Sequence, residues 1–287
     1  MDINEYLERH YSSSSIKGYR NMIGRYEALL GERSKSAGYG DVLYYIGILR
    51  KGGLHPKSLR NHLFAIKIYY NYLIESGQRE DHPCRWMTLR DKINRQIETE
   101  SLYSRGELEE FYESYRARAA LLENRDRIII GLLIYQGLTV MEIGALRTED
   151  IDLEKGRIRV RESRNTKGRS LPLKPEQIML FYRYLQEDRE LLSARGEGES
   201  ERFLLSEKGG GLVIHNIGRV INRGRKKKLL PQKIRQSVIA ELLKENHDLR
   251  IVQEFAGHKR SSCTQSYRQS GLEELRVMIL RHHPLKQ

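Results

Sequence analysis

The sequence predicts a mainly α protein that carries one small β-hairpin and is divided into two domains. Three observations lead there. Apolar residues recur at steps of three and four through most of the chain, the period of an amphipathic helix. Over residues 156–161 and 169–173 the period drops to two, as in a half-exposed strand. Residues 84–101, CRWMTLRDKINRQIETES, hold no sustained apolar stripe, so a connector is expected there. The boundaries read as 1–87 for a helical first domain, 88–101 for the linker and 102–287 for a larger second domain.

From Ser15 to Leu30, the residues Ile16, Tyr19, Ile23, Tyr26 and Leu30 line one helical face. Asp41–Leu49 reads as a shorter apolar helix stopped by Gly52 and Gly53. Pro56 suits the first turn of a third helix, where its missing N–H is not needed. Leu59, Leu63, Ile66, Tyr69, Tyr70 and Leu73 form its buried face, with Lys57, Arg60, His62 and Lys67 on the others and Gly77 beyond its end. In the second domain, Ser104 followed by Glu107 has the capping-box spacing. Helical patterns run over 107–118, 125–136, 175–188, 214–222, 232–244, 249–255 and 272–280. GRIRVR (156–161) and RSLPL (169–173) read as a hairpin with its arginines on one face.

The chain has 287 residues and 39% hydrophobic residues, enough for packed cores, and a net charge of +13. No run of about 18 apolar residues suggests a membrane span. MDINEYLERHYSSSS has no apolar secretory core, and Cys84 and Cys263 are too few for a disulfide framework, so the cytoplasm is expected. A field this positive draws polyanions by counterion release. Residues 219–235, RVINRGRKKKLLPQKIR, carry eight Lys or Arg and no acid. Solvated helix faces mix both signs, so this one-signed run, set between apolar segments, reads as a phosphate-facing surface.

Further motifs occur in a fixed order: YQGLTVMEIGAL (135–146), DIDL (150–153), the arginine-rich hairpin, LPQKIR ending at Arg235, Ala256-Gly257-His258, and Tyr267 nine residues after that histidine. Each is weak alone. The ordered set resembles the tyrosine recombinase, or phage-type integrase, family, with the helical first part similar to its core-binding, SAM-like domain. The resemblance implies a two-domain clamp on double-stranded DNA, with the core-binding and catalytic domains on opposite sides of the duplex. It implies a tyrosine hydroxyl attacking a phosphodiester to give a 3′-phosphotyrosyl link, with no cofactor, metal or nucleotide consumed. The setting it implies is integration or excision of a mobile element.

Carried over residue by residue, Tyr267 stands at the nucleophile's place, Arg235 at the second arginine and His258 at the later phosphate-binding position. Three places depart. Thr139 stands where the first arginine would follow Gly-Leu, Gln232 replaces the box histidine, and Gln236 replaces the histidine after the box arginine. Together they resemble a divergent subset of the family. Counting back from Leu-Pro-Leu puts Arg164 at the place of the hairpin lysine, with Lys167 in the same turn. A lost cation costs rate at a phosphoryl transition state, and Arg164, Arg169, Lys228 and Lys259 are the candidates to replace it. Lys57, Arg60, Lys67, Arg169, Arg225, Lys226, Lys227, Lys228 and Lys259 are candidate DNA contacts.

Read alone, these residues have plainer roles. Tyr267 is one of 17 tyrosines, and His258 could be a helix-end histidine favoured by the dipole. Glu142 and Asp150 read as structural partners of nearby basic groups. Tyr69–Tyr72 reads as core, with at most one ring for DNA. His282 and His283 lack the spacing of a metal site. Leu272, Leu275, Met278 and Ile279 form an apolar stripe that packs on its own domain or, as the resemblance implies, docks on a neighbour in a homo-tetramer on DNA. Two other functions stay open: a weakened relative that binds sites without cutting, and a helical transcription regulator.

Overall fold

The computed structural model describes residues 2–93, 97, 101–196, 198 and 200–267. The chain divides into two compact units, Met1–Asn94 and Arg95–Gln287.

The first unit contains α1 (Ile3–His10), α2 (Ser13–Leu30), α3 (Arg33–Ser36), α4 (Tyr39–Lys51) and α5 (Pro56–Glu75). Helix α5 is its hub. Leu59, Leu63, Ile66, Tyr70 and Leu73 bury their side chains against Tyr26 of α2 and Val42, Tyr45 and Ile46 of α4. Buried tyrosines need partners for their hydroxyls. Tyr26 and Tyr70 share a hydrogen bond of 2.6 Å, and Tyr70 donates to the Ser34 carbonyl at 2.9 Å. His62, expected on a polar face, is buried instead. Its Nδ1 lies 2.9 Å from the Tyr45 hydroxyl, a partner 17 residues away that helical period cannot reveal.

The segment after α5 folds back on this unit. Cys84 and Met87 are buried in its core, and Leu89 packs against it. Asp91 accepts two hydrogen bonds from Arg50, each 2.9 Å. Arg60 donates to the Asp91 carbonyl and Lys67 to the Arg85 carbonyl, both at 2.8 Å. Of the three basic residues singled out on α5, Lys57 is exposed and the other two brace this segment.

The second unit is built around α7 (Glu123–Ile134). Its run IIIGLLI is apolar on every side, and a helix of that kind has to be surrounded. Helices α6 (Arg105–Ser114), α9 (Pro175–Arg183) and α12 (Pro231–Lys244) pack on it. The capping box at the start of α6 forms: Ser104 accepts from the Glu107 amide at 3.2 Å, and Glu107 accepts from the Ser104 amide at 2.8 Å. A π turn over Tyr184–Asp188 joins α9 to α10 (Arg189–Ser193). Helices α8 (Val140–Ala145), α11 (Ile214–Ile221) and α13 (Leu249–Ala256) complete the unit, and residues 261–267 are again helical. The expected helix over 272–280 and its apolar stripe lie outside the described residues, as do His282 and His283. Among the described residues, no helix is long and apolar enough to cross a membrane.

Strands β1 (Ile151–Asp152), β2 (Arg157–Val160) and β3 (Arg169–Pro172) form an antiparallel sheet in the order β1-β2-β3. Here the expectation of arginines on one face is corrected. Arg157 and Arg159 face outward, but Arg169 pairs with Val160 and points inward beside Ile158 and Leu171. Antiparallel partners share a face, so the register alone puts Arg169 on the core side. The outer face borders a cavity of about 820 Å³, where Arg161 is committed to Glu149 and Asp150.

Ile66 is fully buried at the centre of the first unit. Ile66→Ala is expected to lower that unit's unfolding free energy by about 2–5 kcal/mol in urea denaturation followed by circular dichroism.

Candidate active site

The site forms at the carboxyl end of α13. A helix end leaves carbonyls without intrahelical partners and carries a partial negative charge. Two guanidinium groups answer both demands. Arg169, from the first position of β3, donates Nε to the Phe255 carbonyl at 2.7 Å. Arg235, from α12, donates Nη2 to the Ala256 carbonyl and Nη1 to the Gly137 carbonyl. Gly257 then takes the left-handed conformation, φ 67°, that ends the helix. A Cβ at this position would lie 2.5 Å from Nη1 of Arg169, so a side chain is excluded. The Ala-Gly-His stretch is thus the place where a helix stops against two arginines.

Between the arginines stands Glu142. It accepts from Nη1 of Arg169 at 2.6 Å and lies 3.8 Å from Nη1 of Arg235. The three side chains are 3%, 6% and 10% exposed for Arg169, Glu142 and Arg235. Burial pushes the Glu142 carboxyl up, but the hydrogen bond and charge of Arg169, the Thr139 amide and the Arg235 charge outweigh it, and the group sits below its ordinary value. Burial and the Arg169 charge push Arg235 down while Glu142 opposes them, and a guanidinium keeps its proton throughout.

Thr139 is the N-cap of α8. Its hydroxyl accepts from the Glu142 amide at 3.2 Å and donates to the Glu142 carboxylate at 2.9 Å, so it locks the carboxylate in place. Gln232 is exposed one turn before Arg235, and Gln236 is half-buried.

His258 follows Gly257. Its Nδ1 lies 2.9 Å from the hydroxyl of the fully buried Thr264. Burial and then the charges of Arg235 and Arg169 push its pKa down to about 4, against Glu142. The imidazole is therefore neutral at physiological pH. The Tyr267 ring stacks on it, centroids 6.4 Å apart and planes 17° apart. Tyr267 packs on Ile239, Val252 and Ala256, and its phenol is raised by burial and drawn back by the Arg235 charge. The nucleophile candidate, the box arginine and the histidine thus sit together.

The hairpin turn reaches the same place. The Lys167 amide donates to the Gly257 carbonyl at 2.9 Å, and Thr166 bridges to His258. Lys167 and Arg164 are exposed, and Lys259 is held by Glu162 at 2.9 Å. Arg225, Lys226, Lys227 and Lys228 lie exposed between α11 and α12, with Arg225 over the Phe111 ring at 4.7 Å. Thr264 and the Phe255 and Ala256 carbonyls had no signal in the sequence, because a backbone carbonyl carries none and Thr264 sits in a polar stretch.

Two outcomes follow from this geometry. Glu142 is lowered in the folded state, so its contribution is complete above the ordinary glutamate range and lost as pH falls through the folded value. Glu142→Gln should flatten the acid limb of the stability–pH curve below about pH 4, and Glu142→Ala should cost about 3–5 kcal/mol by leaving two buried cations without a counter-charge, both read by thermal unfolding across pH. His258, lowered too, should stay neutral in the free protein until pH falls to about 4, as read by side-chain nitrogen NMR.

Residues 105–274 match the phage integrase family, and residues 4–77 match the phage integrase N-terminal SAM-like domain. Tyrosine recombinase XerC of Oceanobacillus iheyensis is 29% identical, over 98% of this chain and 94% of its own. The XerC of Bacillus subtilis is 27% identical over the same shares. Among solved structures, the XerH site-specific recombinase bound to difH in a pre-cleavage complex aligns with a TM-score of 0.70 at 21% identity, covering 96% of this chain and 84% of that one. The Tn1549 transposon integrase in complex with transposon right end DNA gives 0.66 at 15% identity, covering 96% and 99%. These likenesses agree with the helical unit followed by a helical unit bearing a three-stranded sheet, and the chain belongs to the phage integrase family of tyrosine recombinases.

Proposed function

We propose that this chain cuts and rejoins double-stranded DNA at a specific site, with Tyr267 as nucleophile, in the integration or excision of a mobile element. The observation that carries the reading is the stacking of Tyr267 on His258 beside the buried Arg235. A phosphodiester seated there would meet an attacking oxygen, a cation and a neutral imidazole at once. The phenol oxygen bonds to phosphorus as the bond to the 5′-oxygen breaks. The product is a 3′-phosphotyrosyl link and a free 5′-hydroxyl, so one ester replaces another and the phenol's proton is balanced by the one the 5′-oxygen gains.

Each group has a task that follows from its chemistry. Arg235 faces the charge that develops on the non-bridging oxygens, where a fixed fork of donors acts best. His258, neutral and held by Thr264, offers Nε2 either to the phosphate or to the phenol's proton. The leaving 5′-oxygen needs an acid. Arginine does not release a proton in this pH range and lysine can, so Lys167 suits the task better than Arg164. The Lys167 backbone is tied to Gly257, one residue from His258, which supports this choice. Gln232 can donate to a phosphate oxygen but cannot act as acid or base. Thr139 works at one remove, through Glu142.

DNA contacts are assigned to the exposed bases: Arg225 to Lys228 in the loop before α12, Arg164 and Lys259 near the site, and Lys57 on α5. Residues 1–87 would form the core-binding domain, 88–101 the linker and 102–287 the catalytic domain. The apolar stripe at Leu272, Leu275, Met278 and Ile279 would join protomers in a tetramer on DNA. A relative that binds without cutting is the rival, favoured by the commitment of Thr139 to Glu142.

The test uses nicked duplexes selected by the protein from a randomised pool. The wild type should accumulate a covalent protein–DNA adduct, and Tyr267→Phe should bind as tightly and form none. Adduct formation by Tyr267→Phe would reject the nucleophile, and tight binding with no wild-type adduct would favour the rival. Binding should weaken steeply as salt rises, with a log–log slope that falls by about 1 for each phosphate-contacting Lys in 226–228 changed to Ala.

A further inference from the structure

The buried trio of Arg169, Glu142 and Arg235 does not balance. Two guanidinium groups face one carboxylate, and the nearby His258 is neutral. Burying an uncompensated charge costs several kcal/mol, on the order of the effective penalty for an ion taken from water. There is a second, independent sign. Among the described residues, Nη2 of Arg169 is the one buried side-chain nitrogen or oxygen without a hydrogen-bond partner. An orphaned buried donor costs about 1–3 kcal/mol, more on a charged group. An excess positive charge and an unpaired donor on the same side chain call for the same remedy, an anion.

The other cations expected to compensate for Thr139 are placed differently. Lys259 is paired with Glu162, and Arg164 and Lys228 are exposed. Arg169 alone shares the buried end of α13 with Arg235, the two donating to the carbonyls of the consecutive residues Phe255 and Ala256. Its other donors are used, Nε on Phe255 and Nη1 on Glu142, which fixes the guanidinium plane and leaves one edge.

We propose that Arg169 is a catalytic residue: on DNA binding, its Nη2 donates to a non-bridging oxygen of the scissile phosphate beside Arg235, filling the place that Thr139 leaves without a cation. This rests on the reading that Tyr267 cleaves DNA. Nη2 is covered, and the Lys167 carbonyl, 3.5 Å from Nη1, belongs to the hairpin turn beside it. The turn meets residues 257–258 through the Lys167–Gly257 hydrogen bond and the Thr166–His258 bridge. Nη2 being buried, admission of a phosphate oxygen requires its surroundings to open as DNA binds.

The experiment removes the charge that Arg169 would stabilise. The wild type first maps the scissile phosphate on its selected duplex. That duplex is then made with either the phosphodiester or a neutral methylphosphonate at that position, both diastereomers being tested. Single-turnover adduct formation is measured for wild type, Arg169→Ala and Arg169→Lys, with duplex affinity and thermal unfolding measured alongside. On the phosphodiester, Arg169→Ala should slow adduct formation by about 10²–10³-fold, the size of losing one transition-state donor. On the methylphosphonate, the gap between variant and wild type should shrink to less than about tenfold, because no second anionic oxygen is left to stabilise. An equal defect on both substrates would overturn the proposal and make Arg169 a structural residue. If Arg169→Ala does not fold, Arg169→Lys decides by the same comparison, since it keeps the charge beside Glu142 but loses the fork. Failure of the wild type to form any adduct would instead defeat the cleavage reading, and with it this proposal.

Discussion

The site depends on how α13 ends. Its last carbonyls have no helical partners, and two arginines from distant segments supply them, Arg169 to Phe255 and Arg235 to Ala256. Because both donors are cations at the negative end of a helix dipole, the same contacts that stop the helix also gather positive charge. Gly257 has to be a glycine for this to happen, since a side chain there would overlap Arg169. His258 and Tyr267 follow from that stop. One residue on from the glycine, the histidine is carried against Thr264, and the turn of helix over 261–267 brings the tyrosine onto its ring.

Glu142 keeps this arrangement from repelling itself. It is held by Thr139 on one side and by Arg169 on the other, with Arg235 beyond hydrogen-bonding range at 3.8 Å. A carboxylate that fully matched both cations would leave little field for a substrate. Here it is tightly bound to Arg169 and only electrostatically coupled to Arg235, whose terminal nitrogens go to the Gly137 and Ala256 carbonyls instead. His258 is kept neutral first by its burial and then by the positive charges of Arg235 and Arg169, which make a further proton unwelcome.

Much of the helical frame could be read from the sequence because it is written in local period. The spans over α2, α4, α5, α12 and α13 follow stripes at three and four, α7 follows from an unbroken apolar run, and the cap at Ser104 follows from two residues alone. Helices α3 and α8, of four and six residues, are too short for a period to establish itself, and α1 is absent from the expected spans. The clustering of Glu142, Arg169 and Arg235 could not be read either, because it depends on Arg169 reaching Glu142 across 27 residues of chain and Arg235 reaching the Gly137 carbonyl across 98. The inward turn of Arg169 is instructive. An alternating strand tells which residues share a face, but the arginines of β2 and the arginine of β3 were assigned to one face without knowing the register, and the pairing Val160 with Arg169 decides otherwise.

The threonine at 139 then has a physical explanation beyond a missing charge. At a helix N-cap, a short side chain with an oxygen outperforms a long cation, because it satisfies the free amides of the first turn. Thr139 does this for α8 and fixes the Glu142 carboxylate at the same time. With the carboxylate fixed, the arginine that answers it can come from elsewhere, and it comes from β3. Moving the cation from a helix start to a strand changes what controls it. The start of α8 is tied by the Thr139–Glu142 capping box, whereas β3 is continuous with the hairpin turn whose backbone rests on Gly257 and His258. The Arg169 guanidinium is therefore carried on the same strand as the turn that rests on Gly257 and His258.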